Sequence, residues 1–381
     1  MSYKKAIKTD IEVFDSPRKQ KLHVCNVEDL SVIRTKDLIG DFPMTRYYGS
    51  KKRLLHWIYE CIKDLPFKTV IDGFGGTSSV SLLMKSMGKS VTFNDALLSN
   101  VVSARALLAN KVPFKCDQDV DDFYDSIVPV KGFIYEQFKG KFYLDEENAW
   151  LDGAVQAINK EHVSRRDALF YCLFQACLQK RPFNLFHRAN LSIRVNREVE
   201  RSFGNQTTWD TPFPVLAKRA YRELKKAVWM SSSQQEVLLP TDISDIKTGF
   251  DLVYLDPPYI NPKNSTDDYQ RRYHFLDGMC QYGQWNELID YSYKNLQLKQ
   301  QRHITEWQKK SCFKKRLFDL IEKHSKSIVV LSYVVDAYPS VEVLERLFNK
   351  TFDSHKMYYH ELPHALSKGK KNEVLIVGMP K

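Results

Sequence analysis

Four consecutive residues, Asp256-Pro257-Pro258-Tyr259, follow an apolar run from Phe250 to Leu255. The run reads as a buried strand, so the tetrapeptide falls at a strand's carboxyl end, where open α/β sheets place their ligands. Two prolines remove two backbone donors and stiffen the turn. A carboxylate and the Pro257 carbonyl, held on such a turn, suit an exocyclic amine on a nucleobase. That nitrogen is a poor nucleophile because its lone pair is delocalised into the ring. Accepting its N–H bonds draws it towards sp³ geometry and frees the lone pair to attack a sulfonium methyl group. Tyr259 offers a ring to stack on a base that has left the duplex. The plainer alternative is a rigid surface turn; the strand before it and a glycine turn upstream weigh against that.

The upstream turn is Gly73-Phe74-Gly75-Gly76-Thr77, entered from the β-branched run 69–72 and followed by a helical pattern. Glycines between a parallel strand and a helix let a ligand approach the backbone closely. The spacing is not G-x-G-x-x-G, which argues against a dinucleotide, and no G-K-[ST] follows, which excludes a P-loop. A cofactor without phosphates, such as S-adenosylmethionine, fits. A turn tightened for packing alone fits this segment as well. Asp95 lies at the end of the next strand, where an acid accepts bonds from ribose hydroxyls. Alone it reads as a cap for the helix after it; beside the glycine turn, ribose binding is the better account.

The elements that must position these groups are legible in outline. Leu54, Leu55, Ile58 and Ile62 recur at helical spacing and predict a helix over 50–64. Strands are expected at 69–72, 90–93, 250–255, 327–333 and 373–377. Helices are expected from Val80 to Gly88, over 100–110 and over 168–178. Strand, turn, helix and strand in succession make a βαβ unit and hence a parallel sheet. The middle, 112–245, is rich in aromatics, Arg and Asn and has no clear period. It is expected to be an insert that interrupts a catalytic domain of residues 44–111 and 246–381, after a basic extension at 1–43.

The net charge of +11 on 381 residues favours an anionic partner. Residues 294–326 carry ten Lys and Arg against three Asp and Glu, a net of +7, which fits either a solvated helix face or a phosphate-contacting surface. No run of 18 apolar residues occurs, so no membrane span is expected. The first residues, MSYKKAIKTD, lack the apolar core of a signal peptide, so a cytoplasmic protein is expected. Seven scattered cysteines with no C-x-x-C pair argue against a zinc site. His187 and His360 lack ligand-spaced neighbours, so no metal is expected. Tyr269, Tyr273 and Trp285 form an aromatic cluster better explained by core or lid packing than by base stacking.

At these residues the sequence resembles the Dam-like DNA adenine-N6 methyltransferases. Tyr47-Tyr48-Gly49-Ser50-Lys51 is similar to the family's aromatic–x–Gly–Gly–Lys segment, which implies that Tyr47 and Lys51 touch the cofactor. Asp72 to Val80 resembles its F-x-G-x-G loop, with Asp72, Phe74 and Gly76 at cofactor positions. Asn94-Asp95 resembles the ribose-binding acid. Asp256 to Tyr259 resembles the catalytic motif, whose Asp also lies near the cofactor. Phe183-Asn184, Arg188 and the stretch 203–209 are similar to the substrate-binding region, and 372–376 to the closing strand. The resemblance covers about 44–110 and 168–380. It departs at Ser50 and Ser78, where the family has glycine, and in the long segment 260–326.

The resemblance implies a Rossmann-like, S-adenosylmethionine-dependent methyltransferase sheet with an inserted DNA-recognition region. It implies methyl transfer to adenine N6 in double-stranded DNA on a flipped base, with neither metal nor covalent intermediate. By analogy alone it implies the modification half of a restriction–modification system, with a restriction endonuclease acting on the same site. A cytosine-N4 enzyme shares the amine chemistry but more often has Ser in place of Asp256. An RNA or protein-amide methyltransferase commonly has Asn there. A cytosine-C5 enzyme needs a Pro-Cys pair, which is absent. A non-catalytic DNA-binding module would not need the tetrapeptide beside a cofactor loop.

Overall fold

A computed structural model describes residues 35, 37–43, 47–182, 185–196, 206–229, 231, 233–261, 268–363 and 370–381. The expected sequence features at 1–34, Phe183-Asn184 and 203–205 lie outside these residues.

The core is a seven-stranded sheet. Its strands are β1 (Thr69–Asp72), β2 (Ser90–Phe93), β3 (Gln235–Val237), β4 (Leu252–Leu255), β5 (Ile328–Val334), β6 (Ser354–Pro363) and β7 (Lys370–Met379), in the spatial order β3-β2-β1-β4-β5-β7-β6. The first five are parallel, while β7 runs antiparallel to both β5 and β6. This mixed α/β sheet is the Rossmann-like class expected from the sequence. All seven residues of β5 are buried, which is why it reads as an unbroken apolar run. Alternation along the strands feeds two cores. Val70, Leu252 and Tyr254 face one, and Ile71, Val253 and Leu255 face the other.

Between Asp72 and β2 runs α2 (Ser79–Ser86), which Gly88 stops with a positive φ of 73°. The helix expected at 50–64 is a turn of 3₁₀ helix, Lys51–Leu54, leading into α1 (Leu55–Ile62). After β2 comes α3 (Leu98–Leu107). The middle of the chain is helical: α4 (Asp117–Asp125), α5 (Phe133–Gln137), α6 (Asp145–Ile158), α7 (Val163–Gln179), α8 (Leu191–Val195), α9 (Gln206–Asp210) and α10 (Phe213–Ala227). α10 lies along α7, and α7 against α3. The sheet takes the chain back at Gln235, before the end of the span 112–245 expected as the insert.

After β4 the chain returns to this helical layer. α11 (Tyr269–Cys280) and α12 (Trp285–Leu288) complete its aromatic core. The Phe275 ring stacks on Phe186 at 5.0 Å and meets Phe138 edge-on at 5.0 Å. Trp285 packs so closely on Gly278 that a Cβ there would stand 1.9 Å from the indole. The chain then crosses to the other face of the sheet as α13 (Arg302–Gln308) and α14 (Lys310–Lys323), and α15 (Val341–Thr351) follows β5.

Candidate active site

Parallel pairing brings the chemistry to one edge. β1 lies between β2 and β4, with Asp72 opposite both Phe93 and Tyr254. Asp72, Asn94-Asp95 and Asp256 therefore leave three adjacent strands in one row. They line an open cleft of about 1030 Å³, a size that suits a small-molecule cofactor. Every expected site residue lies in its wall: Tyr47, Lys51, Asp72, Phe74, Gly76, Asp95 and the whole of Asp256 to Tyr259.

The glycine turn is shaped by its neighbours. A Cβ on Gly75 would stand 2.1 Å from the buried Phe93 ring. Gly76 has φ +50°, and its N–H donates to Asp95 Oδ2 at 2.8 Å. Asp95 Oδ1 accepts from the Leu97 N–H at 2.8 Å. Asp95 thus ties the turn after β2 to the glycine loop, and the Ala96 backbone and the Asn100 side chain also bond to it. Burial, above all, raises its pKa. Ser78, where the resemblance led one to expect glycine, adopts the left-handed conformation that glycine favours, with φ 61°.

Asp72 is buried and accepts a bond from Ser81 Oγ at 2.7 Å. Burial first, then the Asp256 and Asp95 charges, push its pKa up to about 7 against the pull of Ser81. Tyr47 stacks on Tyr273 at 4.4 Å and accepts from Asn100 Nδ2 at 3.0 Å. Of the aromatic cluster after the motif, Tyr273 and Trp285 are buried in the core, whereas Tyr269 lines the cleft.

Asp256 is held by two partners. Tyr259 donates its hydroxyl proton to Asp256 Oδ1 at 2.5 Å, and Lys51 Nζ lies 3.1 Å from the same oxygen and 2.5 Å from the Tyr259 hydroxyl. Lys51 is buried and also lies 3.4 Å from Glu373 Oε2. Burial opposes its charge, but Asp256 and Glu373 outweigh that and raise its pKa. The Asp256 pKa is also raised, chiefly by burial, with Lys51 and Tyr259 pulling the other way. Tyr259 meets Tyr333 edge-on at 5.5 Å.

Three contributors were not singled out from the sequence. Glu373 directly precedes the apolar run of β7, and a charge there was the available signal. Asp242 lies in the wall, gripped by Arg316 and by Trp307 Nε1 at 3.2 Å. α13 supplies the remaining wall, where Trp307 meets Phe74 edge-on at 5.1 Å. Part of the long segment 260–326 therefore closes the cleft.

The basic run 294–326 is divided. Arg316 turns inward to Asp242 and Glu306, and Lys323 bonds the Ser244 carbonyl at 2.7 Å, while Lys294 and Lys309 are exposed. Within the span 112–245, Lys180 and Arg181 are buried and so turned away from any phosphate. Lys180 pairs with Glu147 at 2.9 Å, and Arg181 binds the carbonyls of Phe142 and Leu185. Arg188 is exposed.

The family described as D12 class N6 adenine-specific DNA methyltransferase matches residues 47–277. The chain is 27% identical over 231 residues to Type II methyltransferase M2.HphI of Haemophilus parahaemolyticus, covering 59% of this chain and 68% of that protein. It is 26% identical over 260 residues to modification methylase LlaI of Lactococcus lactis subsp. lactis, covering 62% of this chain and 38% of that one.

Proposed function

Because the chain belongs to the D12 class N6 adenine-specific DNA methyltransferase family, we propose that its cleft binds S-adenosylmethionine beside an adenine extruded from duplex DNA. The observation that carries this is the convergence of Asp256, Tyr259 and Lys51 at an acidic cleft. Asp72, Asp95, Asp242 and Asp256 line it, and its buried Lys51 is committed to Asp256 and Glu373. Such a wall repels a pyrophosphate and suits a phosphate-free cation. When bound, the cofactor supplies an electrophilic methyl group on a sulfonium. Asp72, Phe74 and the Gly75-Gly76 backbone would hold its amino-acid end, Asp95 would accept from the ribose hydroxyls in exchange for part of its present bonding, and Tyr47 would close one side.

Asp256 and the Pro257 carbonyl accept the N–H bonds of adenine N6, and Tyr259 supports the ring. Lys51 and the Tyr259 hydroxyl fix Asp256 Oδ1, so the carboxylate is preorganised for the positive charge that gathers on N6. The helices between β2 and β3 serve as the target-recognition region. One relative is named a Type II methyltransferase and the other a modification methylase, which supports a role as the modification half of a restriction–modification system; a restriction endonuclease acting on the same site and a cytoplasmic location belong to the same proposal. No helix among the described residues is long and apolar enough to cross a membrane.

The test is methyl transfer from labelled S-adenosylmethionine to unmethylated bacterial DNA, followed by nucleoside analysis. N6-methyladenine is expected, and Asp256→Ala should lower the rate by at least about 100-fold, as for loss of one preorganised charge-stabilising group. Cofactor binding without any methylated DNA base would overturn the proposal.

A further inference from the structure

After α12 the chain makes a loop closed by a bridge between Ile289 and Leu298. Asp290 N–H donates to the Gln297 carbonyl at 2.8 Å, and Lys299 N–H to the Leu288 carbonyl at 2.8 Å. Asp290 Oδ1 caps the turn by accepting from Ser292 N and Oγ, at 3.1 and 2.6 Å. The loop's base, Asn295 to Leu298, is buried, and its tip, Tyr291 to Lys294, is exposed. Two tyrosines therefore face solvent, 56% and 38% exposed, on a loop whose own bonds hold it in place. Neither ring has a core to fill.

The loop's surroundings are cationic. Arg271 places its guanidinium 5.1 Å from the Tyr293 ring and donates to its hydroxyl at 3.3 Å, while also pairing with Asp268 at 3.0 Å. Arg272 lies 4.3 Å from the Tyr48 ring, and Tyr48 lines the cleft. Asn295 Nδ2 donates to the carbonyls of Phe186 and His187, at 3.1 and 3.2 Å, which docks the loop on the segment that exposes Arg188. His187 has a lowered pKa, first from burial and then from Arg272, Arg271 and Arg188 against Asp268. Arginines from two segments thus gather on one face beside the cleft mouth.

We propose that the loop Asp290–Gln297 is a second DNA-contacting element, outside the helical insert, which seats the duplex beside the cleft. Lys294 meets phosphate, and the Tyr291 and Tyr293 rings lie against sugars and base edges. Exposed aromatics interleaved with cations are what a nucleic-acid backbone needs, because phosphate contacts position the duplex and ring contacts add sequence-tolerant affinity. Through Asn295 the loop and the Arg188 segment form one surface, so the duplex is gripped along one side of the cleft mouth. This inference rests on the reading of the cleft as a DNA-methylating site.

The experiment compares the full chain with the variant Tyr291→Ser/Lys294→Ser, using unmethylated bacterial DNA at several salt concentrations. Both positions are exposed, so cofactor affinity and thermal midpoint should stay at wild-type values. The KM for DNA should rise about ten-fold with kcat little changed, and the slope of log affinity against log salt should become shallower by about one, for one lost phosphate contact. A variant with wild-type KM and salt slope would overturn this inference alone. A wild-type protein that methylates no DNA would overturn the underlying reading and this one with it.

Discussion

Binding of a cationic cofactor in this cleft should expel a proton from Asp72. The carboxyl is buried, takes one side-chain bond, from Ser81, and has a pKa pushed up to about 7. At pH 6.5 about three quarters of the empty molecules therefore carry it neutral. A unit positive charge ~6 Å from a carboxylate, at an effective dielectric near 20, favours the ionised form by about 2.8 kcal/mol, or about two pKa units. That shift takes Asp72 to about 5, so binding at pH 6.5 releases about 0.7 proton, and at pH 8 less than about 0.1. Cofactor affinity should accordingly rise with pH between about 5 and 7 and level off above. Titration calorimetry at pH 6.5 in buffers of different ionisation enthalpy measures the release directly. Asp72→Asn should abolish most of it. Robust binding with the same enthalpy in every buffer would refute the reasoning. The empty protein gives the converse: the raised folded pKa contributes stability fully present below the usual carboxylate value and lost as pH rises through about 7.

Ser78→Gly should stabilise the protein. A left-handed L-residue costs about 1–2 kcal/mol, glycine's extra chain entropy returns about half of that, and the thermal midpoint should rise by about 1 °C. The buried Ser78 hydroxyl, which finds no partner among the described residues, is lost at no cost. Gly75→Ala drives a methyl into the buried Phe93 ring and should cost about 1–3 kcal/mol. It should also weaken cofactor binding, because the neighbouring Gly76–Asp95 bond moves with the loop; calorimetry and thermal melts read both effects. His274, buried with its Nε2 3.1 Å from the Phe186 carbonyl, has its pKa lowered to about 3 by burial above all. Its neutral form contributes stability that is present above the usual histidine value and is lost as pH falls from there towards 3. His274→Gln should therefore gain on wild type by about 1.4 kcal/mol for each pH unit between 6 and 4, measured by urea unfolding.

What the sequence disclosed about the site is what neighbours in the chain decide together. The strand 69–72, its glycine turn and the following helix are contiguous, as are β4 and the tetrapeptide, so period and turn chemistry located them. Asp95 needed only the end of the next strand. The pairing of Lys51 with Glu373 was not legible, because it depends on β7 reversing against β5 with Val334 opposite Glu373. β6 went unnoticed because an edge strand such as SHKMYYHELP lacks a continuous apolar run. In the helical layer, α7 was expected over 168–178 although it is buried on all sides from Asp167 to Leu178 and offers no apolar stripe. α10 does offer one, Phe213, Leu216, Ala217, Ala220, Tyr221 and Leu224, and a count of its helical period would have found it.

The same topology explains why the cleft is acidic. A doubly wound sheet sets the ends of adjacent parallel strands side by side, and here three of those ends carry carboxylates. Lys51 answers one, Glu373 claims part of that lysine, and Asp72 responds by holding its proton near neutrality. The penalty for an ionised carboxylate in the empty site thus falls chiefly on Asp72, first from burial and then from the Asp256 and Asp95 charges, while the Asp256 oxygen is fixed by two donors. A cation entering the cleft offsets that penalty at Asp72 and leaves the catalytic carboxylate in place. Cofactor affinity and preorganisation for the amine are therefore carried by different carboxylates, and Asp72→Asn should alter the first with little effect on the second.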